Sequence, residues 1–139
     1  MKTLSPKISK LIEEFRRHSC EPAGGYVWAI QHEMFGFSEF SQLEPWHFCS
    51  FEEIVPLYQR WPRASKEPDC VPFARRQDRD DLACFSLHGS PVIRVVHYNL
   101  GPPTIWKTER EHGNFWDWVK AVIGDVEVWS SIQQRKRKD

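Results

Sequence analysis

The order of periodicities along the chain predicts a single α+β domain, a mostly antiparallel sheet flanked by helices. Three observations carry this. Apolar residues recur at helical spacing near both ends and once in the middle; β-rich runs lie between them; and the connections joining those runs are too short for the crossover that parallel strands need. A chain of 139 residues is the size of one domain. With 14% aromatic and 27% charged residues it is globular, which excludes a disordered tail, a collagen repeat or a coiled coil.

Ser5-Pro6 opens the first helix, a hydroxyl at the cap and a proline where no amide bond is lost. Ile8, Leu11, Ile12 and Phe15 then share one face, and the basic run Arg16-Arg17-His18 suits the carboxyl end, so a helix is expected over residues 6–18. Pro22-Ala23-Gly24-Gly25 breaks it. Tyr26 to Ile30 reads as a strand by residue type, although Tyr26, Ile30 and Met34 would also align on a helix. Residues 35–45 read as an aromatic-anchored loop. Trp46 to Cys49 makes a short strand, and Ser50 to Glu53 is a capping box that starts a helix over 51–60, with Ile54, Leu57, Tyr58 and Trp61 on its apolar face. Pro56 falls inside that helix, so a kink or one-turn offset is expected.

From Val71 the period changes. Strands are expected at 71–74, 82–87 and 92–98, joined by hairpin-length turns, with a fourth at 104–108, in a sheet of four to six strands. Asn114 caps a last helix over 115–123, in which Phe115, Trp118, Val119, Val122 and Ile123 share a face and which Gly124 is placed to end. The domain is thus expected to occupy residues 1–132, followed by a basic, flexible tail at 133–139.

No apolar run approaches the roughly 20 residues of a membrane helix, and the first ten residues lack a signal peptide's apolar stretch; a soluble, cytoplasmic protein is expected. Residues 133–139 hold four of the 19 basic and one of the 19 acidic residues, so the body keeps an acidic excess of three. Such a body is a poor host for nucleic acid, whose binding needs a concentrated basic face. Cys20, Cys49, Cys70 and Cys84 lack the close spacing of a zinc knuckle or redox dithiol, and Cys84 reads as a small buried hydrophobe.

The residues that look most reactive are Asp78, Asp80 and Asp81 with His88 and His97, a set that could hold a divalent metal for phosphodiester cleavage if it converged on one pocket. The competing reading is a solvated turn, in which consecutive Asp residues point in different directions. Glu109, Glu111 and His112 belong to an alternating-charge stretch, Lys107 to His112, expected as an exposed loop. There is no phosphate-binding glycine loop, nucleophile elbow or His-Glu-x-x-His helix, so no catalytic residue, metal or cofactor is expected. More informative are Trp28, Trp46, Trp61, Trp106, Trp116 and Trp118, spread over the whole chain. A small core cannot hide them all, Trp116 sits off the apolar face of its helix, and exposed aromatics beside charges are usual interface anchors.

Val71 to Leu87, with its Phe73-Ala74 opening, Asp-rich turn and apolar strand around Cys84-Phe85, resembles the SUKH superfamily. Val92 to Tyr98, ending near His97, resembles that family's next strand; Trp46 to Ile54 resembles its strand-then-helix element with paired acids, and Asn114 to Val119 its closing helix. Arg79 departs from a frequent glycine and Ser86 from a frequent Asp. The resemblance covers about Trp46 to Ile123. It implies an α+β fold without an active site, as in the cell-wall-assembly-regulator-like immunity proteins of bacterial polymorphic toxin systems, which bind a cognate toxin, often one acting on nucleic acid; other members are regulatory scaffolds. On that reading the partner surface is Trp46 as an exposed anchor, Glu52 and Glu53 at the helix start, and Arg75, Arg76, Asp78, Asp80 and Asp81 in the turn.

Overall fold

The computed structural model describes residues 5–34, 43–61, 69–87, 89–99 and 105–138. Most of the expected 35–45 loop, His88 and Thr104 lie outside them. The described residues form one α+β domain around a five-stranded antiparallel sheet in which the strands follow one another in chain order. The strands are β1 (Trp46–Phe48), β2 (Cys70–Arg76), β3 (Asp81–Ser86), β4 (Ile93–Asn99) and β5 (Ile105–His112). The stretch 107–112, expected as an exposed loop, is most of β5. Its side chains alternate between exposed and partly buried, the period of a strand, and its backbone pairs with β4 as far as His112.

Helix α1 (Pro6–Arg17) starts as expected, the Ser5 hydroxyl accepting from the Ile8 amide at 3.3 Å. Its end is a Schellman turn: the Cys20 amide donates to the Phe15 carbonyl and the Ser19 amide to Arg16, with Ser19 at φ 59°. Residues 24–31 are not a strand but helix α2 (Gly24–Gln31). Tyr26, Ala29 and Ile30 fall at i, i+3 and i+4 and all are buried, so tertiary packing overrides the β preference of the individual residues.

The helix expected over 51–60 is two pieces, a single 3-10 turn at Phe51–Glu53 and a short α3 (Leu57–Arg60). The capping box is present, Glu53 Oε1 accepting from both the Ser50 amide and hydroxyl at 2.9 Å. Pro56 caps α3 instead of sitting inside it, because proline bars the helical conformation for the residue before it. The break moves the chain across the sheet. Ile54 joins one apolar cluster and Leu57 the other.

Those two clusters are the two faces of the sheet. Along β3, Ala83 and Phe85 belong to the larger cluster and Leu82 and Cys84 to the smaller, the alternation a pleated strand imposes. Helices α1, α2 and α4 (Phe115–Lys138) cover the larger; Leu57 and Trp61 pack on the smaller. Gly124 does not end α4. The core stripe of Val122 continues through Val126 to Trp129, whose Nε1–H donates to Glu44 at 3.3 Å, and the helix runs on through the basic residues to Lys138.

Two glycines give opposite expectations for the same substitution. A Cβ on Gly25 would lie 2.8 Å from Phe115 and from Trp116 Nε1, whereas one on Gly124 would meet nothing. Gly25→Ala should therefore lower unfolding free energy by about 1–3 kcal/mol through overpacking. Gly124→Ala should raise it by about 0.5–1 kcal/mol through helix propensity. Urea denaturation of both variants measures the two signs.

Candidate functional site

The charged residues of the sequence collect where the β2–β3 turn closes one end of the sheet. The β1–β2 register sets Trp46 opposite Arg76 and His47 opposite Arg75, so successive pairs face opposite sides. On the helix side, Trp46 is fully buried, and its Nε1–H donates to Asp125 of α4 at 2.9 Å. Trp46 is therefore not an exposed anchor: it edges onto Trp118 at 5.5 Å and ties β1 to α4. Asp125 also draws in Arg76 at 3.6 Å and Arg110 at 3.8 Å, and Arg76 forks onto Asp78 at 2.7 and 3.3 Å.

Next along the rim stands Asp81, the first residue of β3, with no exposed side-chain surface. It is not part of a solvent-facing turn, and its burial removes it from the expected contact surface. Its register partner on β4 is His97, whose Nδ1 lies 2.7 Å from Asp81 Oδ1. Arg79 reaches back to Asp81 Oδ2 at 3.5 Å and donates to Glu109 at 3.1 Å. Glu109 is the extra residue of a β-bulge, since Val95 pairs with Arg110 and Val96 with Thr108; the bulge aims it at this cluster. Of the expected metal-binding set, Asp81 and His97 come together and Asp78 turns to Arg76 instead. Asp80 is exposed, and its carbonyl accepts the Tyr98 amide at 3.0 Å. The third converging group is Glu109, which the sequence had placed on a solvated loop. A bulge leaves no local sequence signature that could have found it.

On the other side of the sheet Arg75 pairs with Glu53 at 3.0 Å beside an open cleft of about 720 Å³. His47, Arg75 and Tyr98 line it together with the turn residues 76–80. His47 is buried, and neither ring nitrogen has a hydrogen-bond partner among the described residues. Burial lowers its pKa, the Arg75 charge adds to the effect, and Glu53 and Glu44 oppose it. Burial raises that of Tyr98, with Asp80 reinforcing the shift. Asp80 stands exposed at this rim, and Glu52, the chain neighbour of Glu53, is exposed as well.

The exposed aromatics lie at the other end of the strands. Trp28 is 49% and Trp116 41% exposed, meeting edge to face at 6.0 Å, with His32 stacked on Trp28 at 4.0 Å. All four cysteines are buried free thiols; burial drives the Cys20 pKa up to about 12. Among the described residues no helix is long and apolar enough to cross a membrane. No family model, curated protein or solved structure matches the chain.

The lowered pKa of His47 has a sign that can be measured. Below the unfolded value of about 6.5, the unfolded chain takes up a proton that the folded one resists, so stability falls as pH drops from 7 to 5. His112, lowered by burial and by Arg110, acts in the same direction. In urea titrations at both pH values, His47→Gln should reduce this loss and His47→Gln/His112→Gln reduce it further, whatever the variants' absolute stability.

Proposed function

We propose that this protein is a stoichiometric protein-binding module that acts in the cytoplasm as an immunity protein, neutralising a cognate toxin by direct contact. The observation that carries the reading is the rim at the β2–β3 turn. Charges of both signs stand around an open cleft and are held by neighbours: Arg75 by Glu53, Arg76 by Asp78, Arg79 by Glu109. Exposed pairs such as Arg75–Glu53 and Arg79–Glu109 stabilise a fold by only about 0–1 kcal/mol each. Their larger effect is on recognition, because a fixed mosaic of charge selects a complementary surface and rejects others. The resemblance of residues 46–123 to the SUKH superfamily supplies the class of partner, a bacterial toxin that acts on nucleic acid. The acidic excess of the body suits a basic partner of that kind.

Glu52, Glu53, Arg75, Arg76, Asp78 and Asp80 form this contact surface, while buried Trp46 and Asp81 support it from beneath. Co-expression with the toxin encoded beside it should rescue bacterial growth. Glu52→Lys combined with Asp80→Lys changes two exposed side chains, so the protein should stay folded while toxin affinity falls at least about tenfold, equivalent to 1.4 kcal/mol, and rescue weakens. Full rescue by the double variant would move the interface elsewhere. Failure to bind any toxin from the same locus would favour a regulatory scaffold.

A further inference from the structure

We infer that Asp81, His97 and Glu109 form a binding site for one divalent transition-metal ion, with zinc the best match, for which the Arg79 guanidinium is the built-in competitor. The three side chains come from three neighbouring strands, and one ligand atom from each lies within 4.8 Å of the others. Tetrahedral zinc bonds of about 2.1 Å to nitrogen and oxygen set ligand atoms about 3.4 Å apart, so roughly an ångström of side-chain movement closes the set. Asp81 Oδ1 and His97 Nδ1 share a hydrogen bond at 2.7 Å, which the ion would replace. Strands hold the ligand backbones more rigidly than a loop would.

The buried carboxylate is an independent sign of a cation site. Asp81 has no exposed side-chain surface, and Oδ2 has no hydrogen-bond partner among the described residues. His97 Nδ1 holds Oδ1 at 2.7 Å, whereas the guanidinium nearest Oδ2, Arg79 Nε at 3.5 Å, is beyond good hydrogen-bond distance and belongs to a side chain 43% exposed. A buried carboxylate oxygen left unpaired is costly, and a metal bond to Oδ2 would satisfy it. One imidazole with two carboxylates suits zinc or manganese, whereas calcium and magnesium favour all-oxygen sites. Arg79 bridges Asp81 and Glu109, the position a metal would take, so the ion must displace it. Because Arg79 also lines the cleft, metal loading frees its guanidinium at the rim. The inference rests on the geometry of this cluster and is independent of the immunity reading.

Calorimetric titration of the full chain with zinc chloride at physiological salt tests it. One ion per chain should bind; Glu109→Gln and His97→Gln should each weaken binding at least about tenfold, as loss of a ligand or its support does. Arg79→Gln should tighten it by about tenfold, since a screened competing charge has gone. Glu109→Gln changes a half-exposed side chain, so it reports on binding even if a change at Asp81 unfolds the protein. Cobalt substitution should give a visible spectrum without a thiolate charge-transfer band. No stoichiometric uptake, uptake unchanged by Glu109→Gln, uptake not tightened by Arg79→Gln, or a thiolate band pointing to the cysteines would each overturn the site.

Discussion

Phe73 of β2 stacks on Phe85 of β3 at 4.2 Å, and the arrangement of the helices follows from that pair. Trp118 of α4 meets Phe73 edge-on at 4.9 Å. Tyr26 of α2 lies 5.7 Å from Phe73, 5.3 Å from Phe85 and 5.5 Å from Phe15 of α1. Each helix on this face therefore contributes a ring to one cluster. Edge-to-face geometry between such rings adds about 0.5–1.5 kcal/mol per pair beyond the area buried, and it fixes angles that aliphatic packing leaves free. The Tyr26 hydroxyl, buried without a hydrogen-bond partner among the described residues, is the cost of placing an amphipathic ring at the centre.

With three helices on one face, the opposite face is covered, among the described residues, by less. Cys70, Leu82, Cys84, Val96 and Trp106 are buried there, with Leu57, Trp61 and Tyr98 packed against them. Pro56 makes this possible, because the broken helix lets Leu57 reach the second face while Ile54 stays on the first. Near the β2–β3 turn the apolar residues of this face give way to Arg75 and His47, and there the cleft opens. The site is thus the place where a two-sided core reaches the end of its strands. Its charged residues alternate between Asp125 on the helix side and Glu53 on the other.

Where one periodicity was uncontested, the sequence was legible. Helix α1, the hairpins of β2 to β4 and the start of α4 follow from spacing, caps and short turns, each agreeing with the others. Residues 24–31 were not legible, because the five-residue apolar run Tyr26 to Ile30 fits either period and only the ring cluster around Tyr26 decides between them. Gly124 misled for the reverse reason: a glycine costs an exposed helix about 1 kcal/mol, which Val126 and Trp129 offset by extending the buried stripe. At the site, the charges of the turn were legible but their direction was not. Trp46, read as exposed, is buried because a three-residue edge strand lies under α4, and no local pattern encodes that helix's path. Glu109 needed a bulge to reach Asp81.

The buried Asp81 also specifies the sheet. In the observed register it faces His97 across β3 and β4, on the side where Arg79 and Glu109 gather. A slip of one residue would carry Asp81 to the face occupied by Leu82, Cys84 and Val96 and turn Leu82 toward the charges, since side chains alternate with period two. An ionised carboxylate among those apolar residues would be uncompensated, at a cost of several kcal/mol. The run Leu82 to Phe85 is apolar on both faces, so hydrophobicity alone discriminates weakly between the two registers. The carboxylate at its head supplies that discrimination, and the need to compensate it brings one imidazole, one guanidinium and one further carboxylate to the same point on the rim.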